Sequence, residues 1–530
     1  MMQAHKIPIF KSWVSEWVAR AVIFTILMTC LFSFAFYGSP IATMGFYGIQ
    51  PTDVQYGMVV IYGSTVAFLA LDFRIVKYFA PRKYLLIALA VNAICSVICF
   101  HFKDWTLFVI CQFLQGMTCA LMSGIVLQLI FPRLQSVRAR VIAYSLLYGS
   151  IQIAVPFYSI YTSVVIHFFD FNWLFYGFIV VLIILTFVVL LTMSGKARFT
   201  KKIPLYQVDW IGYLFYMSFI LILGFILVYG RQFGWFDNPL ILMLSLSALV
   251  ILSLFIIRES KLKRPLINLQ IFKAKNFVFG LFLLVTFYIF KGSTGLAYGY
   301  VEVILGNDPL HTIPIWMAVI LGTILSMLVT SRFVLMGYNL IRMIIAGFGI
   351  MAIYYAYMIL FVSVQGETIN FILPMFVYGV ATGVLFVPIV SFTASSAPPK
   401  IAVNASLVGI LARFTGFSAS LAFNNELQLF TKSAVREKIR EALTETNPQL
   451  PLTLLDIQNQ YINAGRDMYN SKTVSTGYFN QMINHQLLAR ATRDYYDWML
   501  MGVIFVIVIL LFLPQIQYVV LKLRKGNIPY

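Results

Sequence analysis

Apolar residues in this chain do not alternate with polar ones, as they would along a half-buried strand. They come in runs of about 17 to 29 residues separated by short polar breaks. A helix rises about 1.5 Å per residue, so about 20 apolar residues cross a hydrocarbon core about 30 Å thick. Runs at about 21–39, 54–72, 84–100, 105–130, 141–166 and 173–193 predict spans 1 to 6. Two more, joined by the turn Gly230–Asn238, predict spans 7 and 8. Spans 9 to 13 are expected at about 277–305, 312–331, 341–363, 370–395 and 402–424, and span 14 at about 498–518. Span 9 is longer than one crossing, which predicts a tilted helix or an end that emerges from the membrane. Residues 425–496 break the pattern. They are mixed and amphipathic, with helical stretches such as Lys432–Leu443 and Asn480–Tyr496, and are expected to lie outside the membrane.

The runs divide six, two and six: a bundle over 1–193, a two-helix insert over 194–276, and a second bundle over 277–530 that includes the segment 425–496. Basic residues flank the insert on both sides: Lys196, Arg198, Lys201 and Lys202 before it, and Arg258, Lys261, Lys263, Arg264, Lys273 and Lys275 after it. The expected fold is all-α and polytopic, with 14 transmembrane helices and two bundles facing each other across a central cavity, the general layout of alternating-access carriers.

Composition sharpens this picture. With 61% hydrophobic and 11% charged residues and a mean hydropathy of +0.87, a chain of 530 residues cannot hide its apolar surface in water. The net charge of +19 raises nucleic acid as a partner. Sorting the charges by side removes it: 26 of the 38 Lys and Arg fall in segments assigned to the cytoplasm, with only 4 of the 19 Asp and Glu. That bias is the positive-inside rule, and it places both termini in the cytoplasm. The first apolar run leads into Gly38, Ser39 and Pro40 without a small-residue cleavage pattern, so it is expected to remain as a first helix. Cys30, Cys95, Cys99, Cys111 and Cys119 all fall inside spans and are expected to be packing residues. The five His carry no ligand spacing, and no metal or other cofactor is expected. A nucleotide loop of the G-x-x-x-x-G-K-[ST] type is missing, so ATP is not expected to drive the protein directly.

Several stretches resemble the fourteen-helix drug:proton antiporter branch of the major facilitator superfamily, the EmrB/QacA type. In the insert, Asp209, Trp210 and Gly212 open span 7, and Gly230, Gly234 and Trp235 close it. Arg264, Pro265, Leu269, Phe272 and Phe277 lead into span 9 as in that branch. Phe113, Gln115 and Gly116 in span 4 fit it too, as do Phe131, Pro132, Arg138 and Ala139 after it. The same holds for Asn172, Trp173 and Phe175 at span 6, and for Ala412, Arg413 and Gly416 in span 13. The resemblance covers nearly the whole chain except 425–496. It implies a secondary transporter of the inner membrane that exports lipophilic or amphipathic small molecules in exchange for protons. It also allows a periplasmic adaptor and an outer-membrane channel as partners, for which 425–496 is a candidate docking segment. A lid or a passive connection is the other reading of that segment.

The chain also departs from the branch. Phe73, Lys77 and Ala80 stand where the loop after span 2 has its first Gly, its Asp and its later Gly, leaving Arg82 and Lys83. The span-4 Arg is Gln112, the span-5 signature keeps Pro156 and little else, and the acidic position of span 1 is Leu31. Spans 1–6 therefore carry no centrally placed carboxylate to serve as proton carrier.

Candidate residues follow from polarity in the wrong solvent. Lys291 lies about fifteen residues into span 9, where a charge faces a cavity or a partner, unless the helix tilts and the side chain snorkels. Glu302 stands near the outer end of the same helix, at a solvated rim or in coupling. Tyr148, Gln152 and Pro156 recur on one face of span 5 and are candidates for substrate contact. Arg413 in span 13 is a gate or a helix–helix tie, with Arg138 a further basic candidate in the loop before span 5. Asp72 with Arg82 and Lys83 forms either an inward gate or a solvated loop. Two other function classes remain open: a carrier of the same fold for one metabolite or siderophore, and, more remotely, a membrane-embedded enzyme. The second needs a catalytic pair at one membrane face, and no such pair is found.

Overall fold

The computed structural model describes residues 9–75, 78–130, 137–195, 209–262, 264–306, 308–364, 366–398, 402–444, 449–465 and 467–512. Among them are 14 helices long and apolar enough to cross a membrane. Spans 1 to 4 are Glu16–Tyr37, Pro51–Asp72, Pro81–His101 and Trp105–Ile130. Span 5 is Gly149–Phe168 within the helix Val137–Phe168, and span 6 is Trp173–Thr192. Spans 7 and 8 are Trp210–Tyr229 and Pro239–Lys261. Spans 9 to 12 are Lys275–Val303, Pro309–Leu335, Leu340–Phe361 and Ile369–Ser395. Spans 13 and 14 are the apolar parts of two long helices, Ala402–Ala442 and Met468–Phe512.

Helix starts carry local signals. Asp209, Asn238 and Asn339 accept backbone N–H bonds at the first turns of spans 7, 8 and 11, and Pro51, Pro81 and Pro239 stand where a helix needs no N–H. The turn between spans 7 and 8 explains its own motif. Trp235 folds back so that its N–H reaches the carbonyl of Gly230 at 2.6 Å, and a Cβ on Gly230 would lie 2.5 Å from the Trp235 ring. Gly234, at φ +74°, supplies the left-handed residue that reverses the chain.

Buried side chains form two large apolar cores. One gathers spans 1–4 and 6 with parts of spans 5, 7, 8 and 13; the other gathers spans 9–12 and 14. Span 5 packs along span 10 and span 2 along span 13, which joins the cores, while span 7 lies against spans 2 and 13. Span 8 is peripheral: Met243, Leu246, Leu249 and Val250 are more than half exposed, as suits a lipid-facing helix. Spans 10 and 12 cross at backbone contact, because Gly322 and Gly379 each face a carbonyl of the other helix where a Cβ would stand only 2.4–2.5 Å away.

Two expectations gain detail and one is corrected. Span 9 is longer than one crossing and is interrupted at Gly292 and Ser293, between helices Lys275–Lys291 and Thr294–Val303. The helices that contain spans 13 and 14 run on through much of 425–496, beyond the helical stretches expected there, and Gln449–Asn463 packs beside the second of them. Solvated amphipathic turns extend a helix without an apolar run to announce them. The correction concerns Asp72, which is fully buried and not part of a solvated loop, because the span-2 helix continues to Ile75.

Candidate functional site

The break in span 9 is set by its neighbours. A Cβ on Gly292 would lie 2.6 Å from Asn424 Nδ2 and 2.7 Å from Ser420 Oγ of span 13, so only glycine allows this approach. At this interruption the carbonyls of Phe290 and Ser293 keep backbone donors three residues on, and side chains add further ones. Tyrosines from three other spans supply them. Tyr355 donates to the carbonyl of Phe290 at 2.8 Å, Tyr378 to that of Lys291 at 3.0 Å, and Tyr496 to that of Ser293 at 3.4 Å. The hydroxyls of Ser293 and Thr294 close back onto the same turn, at 2.9 and 3.1 Å.

Lys291 leaves this broken turn toward the other half of the molecule. Its ammonium donates to Oε1 of Gln152 on span 5 and lies 5.5 Å from the centre of the Tyr288 ring. Gln152 is 5% exposed, and its Nε2 is buried without a hydrogen-bond partner. Two residues singled out separately in the sequence, 139 positions apart, thus meet at one point. Pro156, one turn along, has no N–H to offer the Gln152 carbonyl, so span 5 lacks one helix hydrogen bond beside this contact. The side chains of Tyr148 and Arg138, also singled out, lie outside the described residues.

The other candidates stand apart. Arg413 is 6% exposed, with its guanidinium 5.2 Å over the Phe386 ring. Glu302 is half-buried in Thr294–Val303, beyond the break. Asp72 takes a hydrogen bond from the Tyr84 hydroxyl, and its second oxygen is buried without a partner. Arg82 is half-buried and Lys83 exposed, and neither is the partner of Asp72. Reading the sequence missed a buried amide chain in the first core. Gln112 donates to Gln115 at 3.0 Å, Gln115 to Ser96 at 3.3 Å, and Ser96 to the Asn92 carbonyl at 2.8 Å. Polar residues inside spans 3 and 4 were the available signal. It missed the tyrosine shell too, because tyrosines are spread through every span.

Away from the basic loops, the two halves are tied together. Gln55 of span 2 and Asn425 of the span-13 helix exchange amide hydrogen bonds at 3.2 and 2.7 Å. His167 of span 5 lies 3.2 Å from Asp308 before span 10. The insert joins in: Tyr229 donates to Asp53 at 2.5 Å and Trp235 Nε1 to Glu426 at 2.6 Å. A separate groove of about 930 Å³ lies between spans 10, 11 and 12, lined by Thr330, Tyr338, Asn339 and Arg342. Its walls Leu325, Val329 and Phe333 are exposed, so it opens on the lipid side rather than on Lys291.

Comparison with known proteins gives a consistent picture. The family model described as Major Facilitator Superfamily matches residues 21–422. The multidrug export protein EmrB of Escherichia coli (strain K12) is 21% identical over 346 residues, 63% of this chain and 63% of that protein. The fatty acid resistance protein FarB of Neisseria gonorrhoeae is 24% identical over 313 residues, 56% of this chain and 58% of that protein. The chain thus spans about six-tenths of the length of the curated relatives it matches. Among solved structures, the nucleoside transporter NupG, 11% identical, superposes with a TM-score of 0.51 over 92% of this chain and 98% of that one. At that identity the likeness bears on the fold alone.

Proposed function

The chain belongs to the Major Facilitator Superfamily, and from that premise we propose that it is a secondary transporter of the inner membrane exporting lipophilic or amphipathic compounds by alternating access. The bundles 1–193 and 277–530 are the moving halves, 194–276 is an insert beside them, and the basic loops and both termini face the cytoplasm. One observation carries the reading: Lys291 and Gln152 meet between the halves, where span 9 is broken. A discontinuous helix near the midplane is where carriers of this general design hold cargo and coupling ions. Lys291 is the seventeenth of the 29 residues of span 9, about 24 Å from its first residue and about 18 Å from its last at about 1.5 Å per residue. An ion gradient drives the cycle, with the proton as the coupling ion.

The test is uptake of a panel of lipophilic dyes into everted vesicles, with the pH gradient and the membrane potential collapsed separately. Transport that stops when a gradient is removed supports the proposal. Inertness to every dye would favour a carrier for one metabolite or siderophore instead.

The segment 425–496 is the docking site for a periplasmic adaptor leading to an outer-membrane channel. The helix Ala402–Ala442 has 41 residues, about 60 Å at 1.5 Å per residue, twice what the membrane needs. Leu452 and Leu455 on the neighbouring helix Gln449–Asn463 stay 60% and 51% exposed, an apolar face suited to a protein partner. Replacing 432–490 with a short Gly/Ser linker should spare transport into vesicles and abolish efflux across the whole envelope. Unchanged efflux removes the docking role.

A further inference from the structure

Resting on the proposed carrier reading, we infer that the cargo is a lipophilic anion whose acidic group is held between Lys291 and Gln152. The charges inside the membrane have one sign at this depth. Among the described residues, the carboxylates in the spanning helices stand near a membrane end, as Asp53, Asp72, Glu259 and Glu302 do, or in the extensions of spans 13 and 14. Lys291 is mid-span, and its partners are neutral: the Gln152 carbonyl oxygen and the Tyr288 ring. Neutral partners offset only part of the cost of a cation held out of water.

Gln152 supplies the second half of the argument. Giving Oε1 to Lys291 turns the amide so that Nε2 is a donor beside the ammonium, buried and without an acceptor. Buried donors ordinarily have partners. An ammonium and an amide N–H side by side match a carboxylate, a sulfonate or a phosphate monoester, each able to accept from both at once. The walls suit the rest of such a molecule. Tyr288 lies against Gly416 of span 13, next to Phe417, which packs on Tyr62 of span 2 with ring centres 5.6 Å apart. Arg413, one turn away on span 13, is a buried cation near these walls.

This assignment also adds the membrane potential to the proton gradient as a driving force. Loading lowers the positive charge of the site by one unit, and the empty site returns without the anion. Each cycle therefore exports one negative charge, which the potential of a cell negative inside drives outward.

The experiment compares octyl sulfonate with octyltrimethylammonium in everted vesicles carrying the full chain. Both ions are permanent, so neither leaks by shedding its charge. The wild type should move the sulfonate about tenfold or more in preference, as expected when a charge-assisted contact is present for one ion only. Collapsing the potential should slow it by more than it slows transport of an uncharged dye. Lys291→Gln should lose the preference, while Lys291→Arg, always protonated, should keep it; a lysine serving as proton carrier would be lost in both. Gln152→Glu gives Lys291 an internal counter-ion and should block the sulfonate. Monodisperse elution of each variant separates loss of binding from loss of fold. Preference for the ammonium ion, or an unchanged preference in Lys291→Gln, overturns the inference. If the lipophilic dyes move and the sulfonate does not, the anion assignment falls and the exporter stands. If nothing moves, the exporter reading falls and takes this one with it.

Discussion

At the scale of single residues, burial decides what a polar group does. Asp72 shows this, since its position beside basic residues suggests a solvated or ion-paired carboxyl. In the fold its Oδ1 meets the Tyr84 hydroxyl, and Gly124 presses so close that a Cβ there would lie 1.8 Å from Oδ2. Tyr84→Phe should therefore lower stability by about 1–3 kcal/mol, the cost of leaving a buried polar atom unmet, read as the midpoint of thermal unfolding in detergent. A shift within error would mean that water reaches Asp72. Lys291 and Gln152 were each legible as polar residues in an apolar helix. Their pairing was not, because the rotation of spans 5 and 9 about their axes depends on every other contact those helices make.

At the scale of elements, the insert is held by a local cluster at its basic end. Asp209 caps span 7 through the Gly212 N–H at 3.0 Å and pairs with Arg258 of span 8 at 2.7 Å. Burial pushes the Asp209 carboxyl up, but the Arg258 guanidinium and the Gly212 N–H outweigh it and hold the group below its ordinary value. Glu259, 3% exposed, accepts the Ile267 N–H at 2.9 Å and ties in the segment that leads to span 9. Asp209→Asn keeps the cap and loses the charge pair, so it should cost about 1–2 kcal/mol at neutral pH. Because the folded value is depressed, that advantage of the wild type is present above the ordinary carboxylate range. It persists as pH falls into that range and disappears only below the folded value. Thermal unfolding of both proteins across pH tests this. A gap that stays constant to the lowest pH would mean that the carboxylate charge is not what stabilises the pair. The DW-x-G and G-x-x-x-GW patterns were legible as motifs, and the cap, the ring pocket and the left-handed turn are their physical content.

At the scale of the whole molecule, polar ties between the halves lie on the side away from the basic loops. The exchanged amide bonds of Gln55 and Asn425, with the His167–Asp308 pair, join the bundles at that face. If transport requires the halves to part there, a Gln55→Cys, Asn425→Cys double variant should lose at least about nine-tenths of its transport when bridged by a short thiol-reactive bis-methanethiosulfonate and recover it on reduction. The five natural cysteines are buried and free, so cross-linking at this pair stands out against a low background. Full transport by the cross-linked protein would show that this face does not open in the cycle.

The sequence by itself determined the solvent, the number of crossings and the family. Partition of a segment into lipid is a sum over its own residues, so fourteen apolar runs predicted fourteen spanning helices, most within a few residues of their ends. Its motifs placed the insert and the helix starts for the same reason: caps and tight turns are made by neighbours in the chain. Only the tertiary structure decided where span 9 breaks, that Asp72 is buried, and that Lys291 reaches Gln152. Each of these depends on groups far apart in sequence, such as the Tyr355, Tyr378 and Tyr496 hydroxyls that donate to the carbonyls at the interruption. Hydropathy records how much a helix dislikes water, not which of its faces meets another helix.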